Sequence, residues 1–462
     1  MKPGSRGKSV CNGMGHVEGR SAMNKNRHEW MGIFVFVLAF AAVAGANEFR
    51  WDANGGVGGD WHTPANWYDQ TLLAEPTNPP TASDSVLIPG KSSLAQPVTI
   101  AQPAVAQSVT VGPRIGASSY AGYLDIQDDL TVSGSFTVHD RATGAYGHVT
   151  HSNGTLTAAS FVLSNSSSTG GSGLYSLSGA GAIHITGNFS ATGGTQNTFR
   201  QSGADTSVWI EGNLTSGNAN GGDRWIYEIS AGNLTIGGSV TRSYGAWLIH
   251  QTGGSVSVGT SVGLGVDYRS NSTGEPMEWI VSGDSTLNIG SNVTLGWVGD
   301  GGTHLGDGGN QGRFTLAGSR GSGSDVIVGG NWRQTGALTP NTTTNSWGMI
   351  KGIIDAPAIA DPSQMRKIVV EGNVTFDNAS YLLPEFDLSA SPTPGTWTLM
   401  SWSGTLTDHG LTFDESVETG WSFNLDEDDK LLTVTYIPEP ASLALLAAGG
   451  LWLLAHRRKQ GN

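Results

Sequence analysis

The sequence contains almost no cysteine and little positive charge. Cys11 is the only cysteine among the 462 residues, which excludes an internal disulfide and a cysteine-based metal site. Charged residues make up 13 % of the chain, which is about half the usual share. Acidic residues outnumber Lys plus Arg by 38 to 24. Because a nucleic-acid-binding surface must be basic, this balance argues against nucleic acid as a partner.

Glycine and large apolar residues are what the sequence has in excess. It contains 68 glycines and 15 tryptophans, with many valines, isoleucines and leucines between them. Glycine and β-branched residues are poor helix formers, so a helical bundle is excluded. The apolar content is also too high for a disordered chain. Together these observations predict an all-β protein with many turns.

The beginning of the chain has the order of a secretory signal peptide. A basic segment precedes an apolar run at 33–44, and Ala44 and Ala46 supply the small residues that signal peptidase requires. Met23 is an alternative start. The run is short for the other interpretation, a transmembrane anchor. We therefore predict a signal peptide over 1–46 and signal peptidase as a partner during export.

Residues 437–462 combine a Pro-Glu-Pro triplet, an apolar stretch of fifteen residues and a basic end. As a helix the apolar stretch spans about 22 Å, which is short for a hydrocarbon core of about 30 Å. The basic end would stay on the cytoplasmic side of the membrane. The residues that carry this motif are Pro438, Glu439, Pro440, Arg457 and Arg458.

This tail resembles the PEP-CTERM sorting signal of exported bacterial proteins. The resemblance implies processing by exosortase, a membrane transpeptidase, after transient anchoring in the inner membrane by the apolar helix. It also implies a mature protein at the cell surface or in the extracellular polysaccharide matrix of a Gram-negative-type bacterium. An ordinary tail anchor is the alternative interpretation.

Removal of both signals would leave a strongly acidic chain. Residues 47–436 contain 15 basic and 35 acidic residues, so their net charge is −20. Such a chain does not adhere to anionic polymers by charge alone. Neutral glycans, or acidic glycans bridged by divalent cations, are therefore the better candidate partners.

A step from a small polar residue to a large apolar one recurs through the middle of the chain. The step repeats at intervals of 22 to 42 residues, and glycine precedes most of its copies. The pairs are Ser135-Phe136, Ser160-Phe161, Asn188-Phe189, Asn213-Leu214, Ser239-Val240, Ser261-Val262, Asn292-Val293, Asn331-Trp332 and Asn373-Val374. A second glycine recurs in the same phase shortly after a Ser or Thr, for example Gly154 two residues after Ser152 and Gly254 two residues after Thr252. Segments between the marks alternate apolar and polar residues, as β-strands do.

Repeats of this length with short strands are typical of a parallel β-solenoid. We predict an all-β fold in which about nine coils bury their apolar faces by stacking on one another. A string of antiparallel sandwiches is the alternative. The recurring asparagine is a candidate for a stacked amide ladder at a corner of the solenoid.

Composition divides the exported part of the chain into three segments. We predict a Trp-rich N-terminal β cap over 47–115, solenoid repeats over 116–378 and a C-terminal β cap over 379–436. The pattern W…NGG…DW…ANW in the first segment resembles the N-terminal segments of PEP-CTERM and autotransporter-like secreted proteins. Its tryptophans have two interpretations, as a plug for the open end of the core or as a glycan-stacking platform. They are Trp51, Trp61 and Trp67.

The sequence offers few groups for catalysis or metal binding. Asp300, Asp307 and Asn310 lie among glycines near His304 and are candidate Ca²⁺ ligands, although the register of calcium-binding β-rolls is missing. No other cofactor is indicated. His148 and His151 are three residues apart on one predicted strand, which places them on opposite faces rather than in a chelating pair.

The sequence therefore favours a structural or adhesive surface protein without evident catalysis. One alternative is a carbohydrate-binding protein of the matrix that uses exposed tryptophans. The other is a polysaccharide lyase or glycoside hydrolase on a β-helix, with Asp300 and Asp307 as its candidate acids. The tryptophans considered for glycan contact on the repeats are Trp225, Trp247, Trp297 and Trp347.

Overall fold

A computed structural model describes residues 46–438 of the protein, with gaps. The segments outside the description are 53–58, 90–96, 113–120, 139–145, 165–171, 192–195, 217–223, 243–245, 266–276, 297–310, 336–346, 379 and 415. The described chain is almost entirely β-strand, as the sequence predicts. Its helical elements are the 3-10 turns Pro64–Asn66 and Pro362–Gln364 and the short helix α1 (Ala356–Ala360).

In chain order the strands are β1 (Glu48–Trp51), β2 (Trp67–Asp69), β3 (Ser85–Ile88), β4 (Val98–Ile100), β5 (Ala104–Ala106), β6 (Ser108–Val111), β7 (Ala121–Ile126), β8 (Leu130–Val138), β9 (Tyr146–His151), β10 (Thr155–Leu163), β11 (Ser172–Leu177), β12 (Ala182–Ile185), β13 (Phe189–Ala191), β14 (Gln196–Gln201), β15 (Ser207–Ile210), β16 (Leu214–Ser216), β17 (Arg224–Ile229), β18 (Asn233–Ile236), β19 (Val240–Arg242), β20 (Ala246–Gln251), β21 (Ser255–Val258), β22 (Val262–Leu264), β23 (Met277–Ser282), β24 (Thr286–Ile289), β25 (Val293–Leu295), β26 (Gln311–Ala317), β27 (Val326–Val328), β28 (Trp332–Gln334), β29 (Trp347–Ile354), β30 (Ile368–Val370), β31 (Val374–Phe376), β32 (Ser380–Phe386), β33 (Gly395–Trp402), β34 (Leu406–Asp408), β35 (Leu411–Phe413), β36 (Trp421–Asp426) and β37 (Leu431–Tyr436).

The strands stack in parallel on three faces, which makes the molecule a parallel β-solenoid. One circuit of the chain, here called a coil, adds one strand to each face. Face 1 contains twelve strands, β4, β7, β9, β11, β14, β17, β20, β23, β26, β29, β32 and β35. Face 2 runs from β5 to β33 and face 3 from β3 to β34, and the long strands β8 and β10 bend from one to the other. At about 4.8 Å per strand, face 1 is roughly 50 Å long.

The polar-to-apolar steps predicted from the sequence stack in register at the start of face 3. Phe161 aligns with Phe136 below it and with Phe189 above it, and the alignment continues to Val374. The structure extends the same column to Leu406 and, in the other direction, to Val109. The predicted repeat is therefore the unit of the fold.

The asparagines of this step form the predicted ladder, in two runs. The carboxamide Oδ1 of each accepts a hydrogen bond of 2.8 or 2.9 Å from the backbone N–H of the equivalent residue in the next coil. In the middle of the rod two serines take this position, and the hydroxyls of Ser239 and Ser261 are 3.1 Å apart. The ladder therefore supplies acceptors at a corner where the strands bend. Its asparagines are Asn188 and Asn213 in one run, and Asn292, Asn331 and Asn373 in the other.

Glycine precedes asparagine because the ladder leaves no space for a side chain. A Cβ on Gly372 would lie 2.5 Å from the carbonyl oxygen of Gly330 and 2.6 Å from Oδ1 of Asn331. Since the first obstacle is backbone, Gly372→Ala is expected to lower the free energy of unfolding by about 2 kcal/mol. Urea unfolding of the purified protein measures this loss.

Gly352→Ala is the matched control for this prediction. The nearest atom to a Cβ there is the methyl carbon Cδ2 of Leu399, at 2.9 Å, and a leucine side chain can rotate away. The control is expected to change the free energy of unfolding by less than about 1 kcal/mol. Equal losses in the two variants would contradict the role given to the ladder.

The solenoid is longer than the sequence predicts. The described strands from β4 to β34 make up eleven successive coils, counted as one strand on each face, where about nine are expected from the repeat. The coils begin before 116 and continue after 378, so segments predicted to be caps contribute strands to the stack. The end coils escaped the pattern because Ser108 has no glycine before it and Thr405 takes the place of asparagine.

Both ends of the core are covered by aromatic side chains. At the N-terminal end, Trp67 packs edge-on against Trp51 and Trp61, with ring centroids 5.0 Å apart in both pairs. At the C-terminal end, β36 and β37 form an antiparallel hairpin on β33, and the acidic residues 426–429 lie at its tip. Phe386 and Trp421 of this end are 5.1 Å apart. The stacked coils therefore do not end on open apolar surface at these points.

Most residues of the predicted signal peptide and sorting signal lie outside the described residues. Ala44 is outside the description, Ala46 is its first residue, and the tail beyond Pro438 is not described. Among the described residues, no helix is both long and apolar enough to cross a membrane.

Candidate functional site

The outer surface of the rod is where the described chain offers contacts, because its interior is filled. Alternating residues of every face point inward, and most of the inward ones are fully buried. Phe161 and Phe189 stack there with centroids 4.4 Å apart, and Tyr175 and Phe199 stack at 5.1 Å. A packed interior of this kind leaves no room for a ligand.

The N-terminal tryptophans do not form a glycan platform. Trp51, Trp61 and Trp67 are 2 %, 0 % and 1 % exposed, and the indole N–H of Trp67 donates to the carbonyl oxygen of Trp61 at 2.7 Å. A sugar ring needs an open indole face, and these faces are covered by one another and by the core. The arrangement fits the alternative interpretation, in which they plug the end of the solenoid.

Two of the repeat tryptophans considered for glycan contact are also interior. Trp225 and Trp247 are 3 % and 1 % exposed, and their rings stack on each other at 4.6 Å. The interpretation of these two as surface residues is therefore corrected. Trp297 and the side chain of Trp347 lie outside the described residues.

The predicted calcium site cannot be placed. Asp300, Asp307 and Asn310 fall within 297–310, outside the described residues. In the part of the chain that is described, no group of three or more His, Cys, Asp or Glu side chains could hold a metal ion. His148 and His151 point to opposite faces as predicted, since His151 is fully buried and His148 is half-buried.

An open groove of about 310 Å³ crosses the outer side of face 1. Arg200, Glu228 and His250 occupy the same outward position in three successive coils and line it, together with hydroxyl side chains such as Ser176. Arg200 Nε donates to Glu228 Oε2 at 2.6 Å, and both side chains are about half exposed. The groove is therefore polar, shallow and locally neutralised.

This groove suits binding better than hydrolysis. A glycoside hydrolase needs two carboxyl groups about 5 to 10 Å apart. The groove contains one carboxylate, that of Glu228, and this carboxylate is paired with Arg200. The groove thus offers one ion pair, one imidazole and several hydroxyls to a polar ligand.

Face 2 carries an aromatic stack that the sequence interpretation missed. Trp209 of β15 points outward and is 49 % exposed, and His184 of the preceding coil lies flat against it. The two rings are 4.3 Å apart and inclined by 5°. His184 Nε2 is also 2.9 Å from Oε1 of Glu211, which fixes the imidazole plane. The available signal was that the polar residues Ser207 and Glu211 lie on the same side of β15 as Trp209, which favours an outward position for it.

The other side of Trp209 faces short polar side chains. Its register partner in the next coil is Thr235, and the same column continues with Ser257 and Asn288. All three are exposed. A threonine side chain is too small to cover an indole, in keeping with the 49 % exposure of Trp209. We call Trp209, His184, Thr235, Ser257 and Asn288 the Trp209 ledge.

Comparison with known proteins gives no relative for this chain. No family model, no curated protein and no solved structure matches it. Function must therefore be argued from the residues and their arrangement.

Proposed function

We propose that this protein is an exported structural and adhesive rod of the bacterial surface or extracellular matrix, sorted by exosortase. The observation that carries the proposal is the uninterrupted stack of eleven coils, with aromatic clusters over its ends. Such a stack holds its outer side chains at fixed intervals along one axis, and its interior is filled by packed side chains. The resemblance of the tail to the PEP-CTERM signal supports export and surface sorting.

A second candidate function is carbohydrate binding, which the Trp209 ledge favours. An exposed tryptophan with a row of hydroxyl and amide groups provides both stacking and hydrogen bonding. A polysaccharide-degrading activity has less support, because the groove on face 1 contains a single carboxylate.

Cell fractionation of the native host tests the sorting proposal. We expect the mature chain in the surface or matrix fraction, with no peptide from the apolar stretch at 441–455 in its mass spectrum. In a strain without exosortase, or in a variant with alanine at Pro438, Glu439 and Pro440, the tail should remain attached. A wild-type surface fraction that keeps the intact tail would contradict the proposal.

The control is the distribution of an unrelated exported protein among the same cell fractions. Its distribution should be the same in the wild-type host and in the exosortase-deficient strain. A protein found only in the cytoplasm of the wild-type host would contradict export itself.

A further inference from the structure

We propose that the Trp209 ledge is a binding site for an uncharged polysaccharide, with one sugar ring stacked on Trp209. The inference deepens the proposed surface function and rests on it for access to glycans. It starts from the ring geometry. The Trp209 side chain is 49 % exposed, and contact between its apolar surface and water is unfavourable. Its outward position is not needed to fill the core.

The side of the indole that faces His184 is already supported. With centroids 4.3 Å apart and planes inclined by 5°, the imidazole backs the indole as a second layer. Glu211 holds the imidazole from its edge at 2.9 Å. This support fixes the orientation of Trp209 before a ligand binds, so little side-chain entropy remains to be lost on binding.

The opposite side of the indole has the groups that a sugar requires. The weakly polar C–H face of a pyranose can lie on the indole, and its hydroxyls need donors and acceptors beside the ring. Thr235, Ser257 and Asn288 supply these at successive coils, spaced about 4.8 Å apart along the rod. Because the indole stacks on His184 of the coil below, its other face points along the rod axis, and a sugar ring on that face lies level with Thr235 and next to Ser257 of the following coil.

The local charge selects an uncharged ligand. The strands β15, β18, β21 and β24 of this part of face 2 contain no Lys or Arg. The charged side chains nearest in sequence to Trp209 are those of Asp205 and Glu211, both acidic and exposed. A uronic acid polymer would thus meet repulsion, whereas a neutral glycan would not.

Affinity electrophoresis of the full-length secreted protein tests this site. The probes are a soluble β-glucan, a galactomannan and a dextran as neutral polymers, and an alginate as the anionic one. We expect at least one neutral polymer to retard the wild-type protein and the alginate to have no effect. Trp209→Ala should weaken the binding by about tenfold or more, which is typical when a tryptophan that becomes buried in an interface is removed. Trp209→Tyr, which keeps a ring, should bind with intermediate affinity.

Tyr146→Ala is the matched control, because Tyr146 is similarly exposed, at 51 %, but lies on face 1. It should bind the neutral polymer as the wild type does. Unchanged affinity in Trp209→Ala would overturn the site, as would retardation by alginate alone or by none of the polymers. None of these results would alter the surface sorting of the chain, so failure of the site and failure of the surface function can be told apart.

Circular dichroism tests whether Trp209→Ala loses binding only because it is misfolded. Since Trp209 is outside the core, Trp209→Ala should keep the wild-type β-sheet spectrum. If Trp209→Ala loses both the β-sheet spectrum and the binding, His184→Ala is tested instead. This variant removes the imidazole that supports the indole. This second variant should also weaken binding, and unchanged binding there would overturn the supporting role of His184.

Discussion

Replacement of Trp279 by alanine is expected to lower the free energy of unfolding by about 3 to 5 kcal/mol. Trp279 points inward from β23, is fully buried, and aligns with Phe314 in the next coil. Its ring centroid is 6.3 Å from that of Phe314. Truncation removes the apolar contacts and leaves a cavity that the neighbouring coils cannot close without breaking their hydrogen-bond ladders. Chemical denaturation followed by circular dichroism measures the loss.

Trp209→Ala is the matched control for this prediction. It deletes the same side chain from an outward position, where the indole contacts His184 and solvent. Its expected cost is below about 1 kcal/mol, as for other exposed substitutions. Equal losses in the two variants would contradict the assignment of inward and outward residues. Trp279→Phe should cost less than Trp279→Ala, because Phe314 already fills the equivalent position one coil above.

The second large effect is a loss of stability in mild acid, caused by His151. This residue is fully buried at the end of β9, where its Nε2 lies 3.0 Å from the carbonyl oxygen of Gly154 and its Nδ1 lies 2.8 Å from the hydroxyl of Tyr175. Since a carbonyl can only accept, Nε2 carries the proton and Nδ1 accepts from Tyr175. The site is therefore built for the neutral imidazole.

Burial lowers the pKa of His151 from 6.5 to about 4, against the smaller opposing effect of the backbone oxygens beside it. The unfolded chain thus binds this proton at a higher pH than the folded chain does. Above about pH 6.5 both states are neutral and the full stability is present. As the pH falls from about 6.5 to about 4, the unfolded state becomes protonated first and the free energy of unfolding decreases by up to about 3 kcal/mol.

His151→Gln separates this effect from the titration of the carboxylates. Gln201 and Gln251 occupy the same inward position in other coils and donate to corner carbonyls, at 3.0 Å and 2.9 Å respectively. The variant should therefore fold, and its stability should decline less than that of the wild type between pH 6.5 and pH 4. The difference between the two unfolding curves is the readout. Parallel curves over this range would show that His151 does not titrate as proposed.

Glycine and asparagine made most of the solenoid predictable. The Gly-Asn step is visible in the sequence because each asparagine oxygen occupies the space of a Cβ one coil above, as at Gly372 over Asn331. That constraint acts in every coil where asparagine is present. It weakens at the ends of the rod, where Ser108 and Thr405 replace it, and there the sequence placed the boundaries too far inward.

Whether each tryptophan points inward or outward was harder to predict than the strands themselves. In Ala-Trp-Leu-Ile-His-Gln, the apolar residues Trp247 and Leu248 are adjacent, so alternation does not decide which one points inward. The structure buries Trp247 and leaves Leu248 partly exposed. In β15 the residues Val208, Trp209 and Ile210 are also adjacent, but the polar residues Ser207 and Glu211 lie on the same side of the strand as Trp209 and could have indicated that it points outward. The stacking on His184 could not be predicted, because it depends on register between coils.

Product analysis with purified polysaccharides tests the central claim most directly, since that claim is that the rod binds or supports the matrix without cleaving it. The purified protein would be incubated with neutral and acidic polymers, with and without Ca²⁺, and assayed for new reducing ends and unsaturated products. We predict that no product accumulates with time, including on a polymer that retards the protein in electrophoresis. Product formation that increases with protein concentration would contradict the account and make the protein an enzyme.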